Sequence, residues 1–259
     1  MTFCLSMKMG DGLVAIADTR ITSGSEISAA RKLSIHEVGG GSLFLMTSGL
    51  RSVRDKTVTY FEEALETQGK RCDRLYKAVN LLGAQLRKVK DEDRRALEES
   101  HLEFNLFALI GGRLKADKEH CLYLVYPQGN WVEINESRPY CIIGETNFGR
   151  PILDRTFKHS DGLLWALKVG CLAFDSTRIS ANDVDFPLDI AIFDQKTGKL
   201  REGRFEREDL QKLTSWWSER IRSSVAEMPE AWLKELASKI TESAPESRTR
   251  KPAKPKKKK

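Results

Sequence analysis

The sequence predicts an α+β fold in which two antiparallel sheets carry helices on their outer faces. Three observations lead to it: strand-like segments are joined by short glycine turns, helical patterns come in pairs, and those pairs lie between groups of strands. A parallel doubly wound sheet would instead need helices that alternate with single strands. The order along this chain is strands, two helices, strands, two helices and strands.

The first fifty residues are predicted to form two hairpins. Alternating residues from Phe3 to Met9 precede the turn Gly10-Asp11-Gly12 and the apolar run Leu13 to Ala17. A second pair of strands, Leu33 to Val38 and Ser42 to Met46, flanks three consecutive glycines. Glycine readily adopts the positive φ angles that tight hairpin turns require. The segment between the two hairpins is predicted to be a polar loop.

Two helices are predicted next, from Val53 to Thr67 and from Cys72 to Lys90, followed by a charged segment from Asp91 to Glu99. In the second helix, apolar residues recur at alternating intervals of four and three. This spacing places them on one helical face, as expected of a helix that packs on a sheet. The residues of that face are Leu75, Val79, Leu82, Leu86 and Val89.

The second half repeats this order and ends in a predicted tail. The predicted elements are four strands, two helices, a hairpin and a last helix: Phe104 to Ile110, Cys121 to Tyr126, Trp131 to Ile134, Tyr140 to Ile143, Arg150 to Lys158, Gly162 to Phe174, Pro187 to Phe193 with Lys199 to Phe205, and a helix from Glu206. A shorter helix from Pro229 to Ile240 ends the predicted domain, residues 1–240. Residues 241–259, which are rich in proline and charge, are predicted to be a disordered basic tail.

Charge and composition exclude several classes of protein. Eight basic residues and no acidic ones lie between Arg248 and Lys259, so the net charge of +6 becomes −2 for the rest of the chain. A basic nucleic-acid-binding fold is therefore excluded, and we expect the tail to be a solvated end rather than a nucleic-acid contact. No apolar run approaches the roughly 20 residues of a membrane span, and no leader peptide is expected.

Cysteine and histidine usage argues against disulfides and metal sites. The five cysteines are an odd number without a CxxC pair, and the four histidines show no ligand spacing. We therefore expect a cytoplasmic protein with reduced thiols that needs no metal and no cofactor.

The second residue is the first candidate for catalysis. Thr2 follows Met1, and a small second residue allows the initiator methionine to be removed. Removal would leave a threonine whose free α-amine, with a pKa of about 7.7–8.0, can act as a general base for its own hydroxyl. Asp18 ends the strand predicted to pair with the Thr2 strand, and Lys32 begins the next strand. A lysine near the hydroxyl would lower the hydroxyl pKa, and a carboxylate would hold that lysine.

Several motifs resemble a known family. Thr2, Ala-Asp-Thr-Arg at 17–20, Arg-Lys-Leu at 31–33 and Thr-Ser-Gly at 47–49 resemble the proteasome β-subunits, which are N-terminal-nucleophile hydrolases. The stretch 143–155, Phe-Asp-Ser-Thr at 174–177 and Pro-Leu-Asp at 187–189 look like the Anbu branch, the ancestral β-subunit homologues of bacteria. The resemblance covers roughly residues 2–240.

The resemblance implies a four-layer αββα sandwich and a role for each member of a triad. Thr2 would attack a carbonyl carbon, Lys32 would activate Thr2, and Asp18 would orient Lys32. A backbone amide would hold the oxyanion, with Gly49 the natural candidate and Met46 a second one.

The resemblance also implies a supporting network around the threonine amine. Asp175 matches an aspartate of that network. Glu145 and Thr146 stand where the family commonly has Gly-Ser-Gly, and Arg178 stands where a serine is common.

The resemblance further implies a cytoplasmic threonine peptidase or amidohydrolase in a self-compartmentalising homo-oligomer, either a ring or an open helical turn. It leaves open whether an ATP-driven unfoldase docks on that assembly. Three alternatives remain: an enzyme that passes the acyl group to an amine or acts on a non-protein amide, a scaffold subunit whose site has decayed, and a protein that binds nucleic acid through its tail.

Overall fold

The computed structural model describes residues 2–23, 26–231, 233, 234 and 238. The chain divides into two compact units, Met1–Thr214 and Ser215–Lys259. Met1, the predicted domain boundary at residue 240, the basic tail and most of the short helix predicted from Pro229 to Ile240 lie outside the described residues. In the second unit, the rings of Trp216 and Trp217 stack with their centroids 6.1 Å apart.

The described elements are, in chain order, β1 (Phe3–Met9), β2 (Gly12–Asp18), β3 (Arg20–Ser23), β4 (Glu26–Ala29), β5 (Leu33–Val38), β6 (Gly41–Gly49), α1 (Arg51–Gln68), α2 (Leu75–Glu99), β7 (Leu106–Arg113), β8 (Cys121–Val125), β9 (Trp131–Glu133), β10 (Tyr140–Gly144), α3 (Arg150–Thr156), α4 (Leu163–Ser180), β11 (Leu188–Asp194), β12 (Lys199–Phe205) and α5 (Arg207–Ala226). A single 3-10 turn lies between α1 and α2.

Two five-stranded antiparallel sheets form the centre of the first unit. One has the strand order β10-β1-β2-β11-β12 and the other β5-β6-β7-β8-β9. Their facing surfaces share one buried cluster, to which the first sheet contributes small residues such as Cys4, Ala15 and Ala17. The first sheet also contributes the larger Leu13 and Phe193, and the second sheet contributes Phe44 and Met46. A mixture of small and large side chains lets the two facing surfaces interdigitate and pack closely.

Helices cover the outer face of each sheet. Residues at alternate positions of β1, among them Phe3 and Leu5, pack against α4 residues such as Phe174. On the other side, Leu43 and Leu45 of β6 form a cluster with the apolar face predicted for α2. The molecule therefore has the four-layer αββα arrangement, and the predicted fold class is confirmed.

The largest differences from the sequence-based expectation concern α2, α4 and the segment after β2. Helix α2 runs to Glu99 instead of Lys90, because the charged segment favours a helix and pairs Arg94 with Glu98 and Arg95 with Glu99 one turn apart. Helix α4 continues past Phe174 to Ser180. The expected polar loop after β2 contains the short ribbon of β3 and β4.

No helix in the described part of the chain is both long and apolar enough to cross a membrane.

One half-buried histidine gives this fold a dependence on pH. His36 on β5 lies edge-on to Phe61 of α1, and its Nε2 is 2.8 Å from the Ser34 hydroxyl. Burial lowers the pKa of His36, and the charge of Glu62 opposes this only in part. The folded protein therefore holds this imidazole neutral at a pH where the unfolded chain, with a histidine pKa of about 6.5, already binds a proton.

We predict that the stabilisation associated with neutral His36 is present above about pH 6.5 and is lost as the pH falls through that value. His36→Gln should therefore lose less stability than the wild type between about pH 7.5 and 5.5, measured as the midpoint of urea unfolding. His101→Gln, at an exposed histidine, is the matched control and should follow the wild type. Equal acid sensitivity of wild type and His36→Gln would contradict the prediction.

Candidate active site

The carboxylate of Asp18 joins two other segments at one edge of the first sheet. Asp18 ends β2, and the β1–β2 register, in which Cys4 faces Ala17, brings Phe3 beside it. Oδ1 of Asp18 accepts a hydrogen bond of 2.8 Å from the Phe3 amide and one of 2.7 Å from Nζ of Lys32. Nζ of Lys32 also donates to the Arg20 carbonyl oxygen at 2.7 Å.

This ion pair is almost completely removed from solvent, with side-chain exposures of 4% for Lys32 and 0% for Asp18. Burial raises the pKa of Asp18, while the charge and hydrogen bond of Lys32 and the Phe3 amide oppose that rise. A backbone hydrogen bond from Arg20 also opposes the rise in the pKa of Asp18.

Thr2 lies beside this pair. Thr2 and Lys32 line one cavity of about 480 Å³. The carbonyl oxygen of Thr2 accepts a 2.6 Å hydrogen bond from the amide of Glu145, which follows β10. On the other side, the next residue, Phe3, is bonded to Asp18 at the end of β2. The cavity is lined by Thr2, Arg20, Ile21, Lys32, Thr47, Ser48, Gly49, Leu50, Arg51, Arg54, Asn105 and Gly144.

Of the two oxyanion candidates, Gly49 is the one that lines this cavity. Gly49 ends β6 with φ at +149°, and a Cβ there would lie 2.2 Å from the Asn105 carbonyl oxygen. Glycine is thus required at this position by both conformation and space. Met46 is fully buried between the two sheets, in the shared apolar cluster.

The residues proposed to support the amine fall into two groups. Glu145 is buried, and its backbone amide donates to the carbonyl oxygen of Thr2. Its side-chain Oε1 accepts a hydrogen bond from the Asn147 amide at 2.9 Å. Thr146 is half-buried, and its carbonyl oxygen accepts from the Arg150 amide at the start of α3. These bonds shape the turn that leads from β10 into α3.

Asp175 makes a different set of contacts. Its Oδ1 accepts from Nη2 of Arg178 at 2.7 Å and from the Thr214 hydroxyl at 2.7 Å. Arg178, at the position where the family commonly has serine, therefore binds the carboxylate that sequence reasoning assigned to the threonine amine. Oδ2 of Asp175 is buried without a partner among the described residues.

Nine of the twelve residues that line the Thr2 cavity were not among the predicted site residues. Two of the nine, Ser48 and Arg20, belong to the Thr-Ser-Gly and Asp-Thr-Arg motifs, which are the signal that could have identified them. Arg54 carries no such signal, because it is one of several charged residues along α1.

The described residues contain no group of three or more histidine, cysteine or acidic side chains arranged to hold a metal ion. Cys4, two residues from Thr2, is fully buried, and burial strongly raises the pKa of its thiol. This thiol is therefore protonated at neutral pH and does not compete with Thr2 as a nucleophile.

Comparisons with known proteins show what the whole chain is similar to. No family model and no curated protein matches the chain. Among solved structures, this chain is similar to an Anbu (Gly-1) mutant from Hyphomicrobium sp. strain MC1, with 28% sequence identity and a TM-score of 0.80. The match covers 88% of this chain and 99% of the other. Anbu from Yersinia bercovieri has 27% identity, a TM-score of 0.81 and coverage of 88% and 98%.

A third similar structure is described as a helical assembly of the Anbu complex from Pseudomonas aeruginosa. Its identity is 26%, its TM-score 0.82, and the match covers 88% of this chain and 97% of the other. These likenesses span nearly the whole of the related chains, so the resemblance inferred from the motifs is confirmed.

Gly144 offers a test of how tightly Thr2 is held. Its φ is +89°, and a Cβ would lie 1.9 Å from the Thr2 carbonyl oxygen and 3.1 Å from the Ser48 hydroxyl. We predict that Gly144→Ala displaces Thr2 and lowers stability by roughly 1–3 kcal/mol, a fall of about 2–10 °C in Tm by thermal unfolding. Gly10→Ala is the control, since its Cβ would meet His159 at an ordinary 3.9 Å. Equal Tm values for the two variants would show that Thr2 is loosely held.

Proposed function

We propose that this chain, which is similar to Anbu proteins over nearly their whole length, is an N-terminal threonine hydrolase that acts on peptides or related amides. The observation that carries the proposal is the buried pair of Asp18 and Lys32, which lies beside Thr2 and is bonded to the amide of the next residue. A buried ion pair is costly unless fully compensated, so its position next to a candidate nucleophile supports a catalytic role.

Removal of Met1 creates the base. The α-amine of Thr2 then takes the proton from Oγ of the same residue while Oγ attacks the substrate carbonyl carbon. Lys32 lines the same cavity as Thr2, and a lysine charge close to the hydroxyl would lower the hydroxyl pKa. Asp18 and the Arg20 carbonyl oxygen fix the position of that charge through bonds of 2.7 Å each.

The attack produces a tetrahedral oxyanion, for which the Gly49 amide is the proposed donor. Collapse of this intermediate breaks the amide bond, and the leaving amine takes the proton from the α-ammonium of Thr2. The acyl group is now an ester on Oγ. Water, deprotonated by the α-amine, then attacks this ester and releases the acid, which restores the free threonine.

We propose that the chain works as a homo-oligomer. The related protein from Pseudomonas aeruginosa is described as a helical assembly, which supports an open helical turn or a ring here. In such an assembly the Thr2 cavities would face a shared interior. The five described cysteines are all free, which fits a reducing cytoplasm.

A second candidate function is an inactive subunit of the same assembly. The observation that favours it is the pairing of Asp175 with Arg178, which stands where the family commonly has serine. Glu145 and Thr146 also stand where the family commonly has Gly-Ser-Gly. These residues leave the threonine amine without the expected serine–aspartate network. An assembled protein with an unreactive Thr2 would support this candidate.

We predict that Thr2→Ala, Lys32→Met and Asp18→Asn each lower turnover of fluorogenic peptides by at least about 10³-fold, because each removes one member of a unit that acts together. Breaking the buried pair should also cost about 3–5 kcal/mol of stability in Lys32→Met, so circular dichroism must accompany the assay. Thr67→Ala, on the exposed face of α1, is the matched control and should retain full activity. Turnover by pure Thr2→Ala protein would reject the nucleophile assignment.

A further inference from the structure

A second cavity adjoins the one that contains Thr2. It has a volume of about 440 Å³ and shares Lys32, Thr47 and Arg54 with the Thr2 cavity. Its apolar walls are formed by four residues, Leu33, Ile35, Leu45 and Val58. A substrate whose carbonyl carbon lies at Thr2 Oγ therefore has room for one neighbouring side chain in this second cavity.

The two cavities are strongly basic. Together their linings contain five basic residues, namely Arg20, Arg31, Lys32, Arg51 and Arg54, against two acidic residues, Asp55 and Glu202. The acidic side chains are at the exposed rim, with exposures of 50% and 39%. Each is already bound by arginine: Asp55 by Arg51 and Arg54, and Glu202 by Arg31. Asp18 pairs with Lys32 and Asp185 pairs with Arg20, so the remaining excess of positive charge lies at Arg51 and Arg54, which share Asp55.

Arg54 is the arginine best placed to act on a bound side chain. It lines both cavities, and only 14% of its side chain is exposed. Its Nε and Nη2 both donate to one oxygen of Asp55, while Nη1 has no acceptor among the described residues. A guanidinium has five N–H donors, so Arg54 keeps donors for a second carboxylate.

The charge of Arg54 also acts on Cys4, on the strand that follows Thr2. Burial dominates the raised pKa of the Cys4 thiol, and Arg54 is one of the charges that oppose this rise. Interactions with a partly buried guanidinium are screened less by solvent than those with an exposed one. A carboxylate in the second cavity would therefore interact favourably with Arg54.

We infer that the site selects amides whose acyl residue carries an acidic side chain, and that Arg54 is the residue that determines this specificity. The inference rests on the proposed function, since it needs the carbonyl of that residue to lie at Thr2. A glutamate or aspartate side chain enters the second cavity, its methylene groups contact the apolar walls, and its carboxylate accepts from the free donors of Arg54.

A panel of peptide epoxyketones tests this directly. The four probes differ only in the residue next to the ketone, which is Glu, Gln, Leu or Lys. Thr2 Oγ adds to the ketone carbonyl and the α-amine of Thr2 opens the epoxide, so both atoms become bonded to the probe without a leaving group. Intact mass measured over time gives the rate of modification. We expect the Glu probe to react about tenfold faster than its uncharged isostere Gln, and the Lys probe to be the slowest.

Arg54→Gln should remove the advantage of the Glu probe over the Gln probe while the Leu probe still reacts. Arg95→Gln, at an arginine whose side chain is 93% exposed on α2, is the matched control and should keep the advantage. An increase in salt from about 0.05 M to about 0.5 M should reduce the Glu-to-Gln ratio of the wild type, a result that needs no variant.

Each outcome separates the inference from the proposed function. Equal rates for the Glu and Gln probes would overturn the acidic preference while leaving Thr2 established as a nucleophile. A Glu preference that persists in folded Arg54→Gln would overturn the assignment to Arg54. Failure of all four probes to modify Thr2 would overturn the proposed function and the inference with it.

Discussion

One oxygen atom, Oδ1 of Asp18, connects three segments that are distant in sequence. It binds the amide of Phe3 on β1, belongs to the end of β2, and pairs with Lys32 just before β5, which is in the other sheet. Removing two charges from water costs several kcal/mol each, so the pair persists only because its geometry is good. The pair links the two sheets at the edge where Thr2 lies, and Lys32 is part of the cavity lining there.

The position of Thr2 follows from the same constraint. Its neighbour Phe3 is fixed by Asp18, and its own carbonyl oxygen is fixed by the Glu145 amide. Gly144 and Gly49 keep side chains out of the space around it. A nucleophile that is held by backbone bonds loses little further freedom when substrate binds, which is how a positioned group lowers a reaction barrier. In the specificity proposed here, the arginines of the cavity walls would provide charge for recognition without occupying that space.

Most of the fold was predictable from local patterns of apolar residues. Their alternation in strands and their spacing of four and three in helices indicate which face of each element is buried. The proximity of Thr2, Asp18 and Lys32 was predictable because these residues stand at strand ends. The extension of α2 was missed, since the charged residues after Lys90 show no apolar face and are stabilised by pairs along the helix. The contacts of Asp175 and the role of Arg54 depend on side chains from distant segments, and helical periodicity alone does not reveal them.

The central claim is that Asp18 and Lys32 prepare a free N-terminal threonine for attack. Intact mass and peptide mapping of the assembled protein, before and after incubation with a peptide epoxyketone, test this most directly. We predict a chain that lacks Met1 and carries one probe bonded to both the amine and Oγ of Thr2. Retention of Met1 in the assembled protein would contradict the claim, because the amine would then be blocked and the threonine would have no internal base.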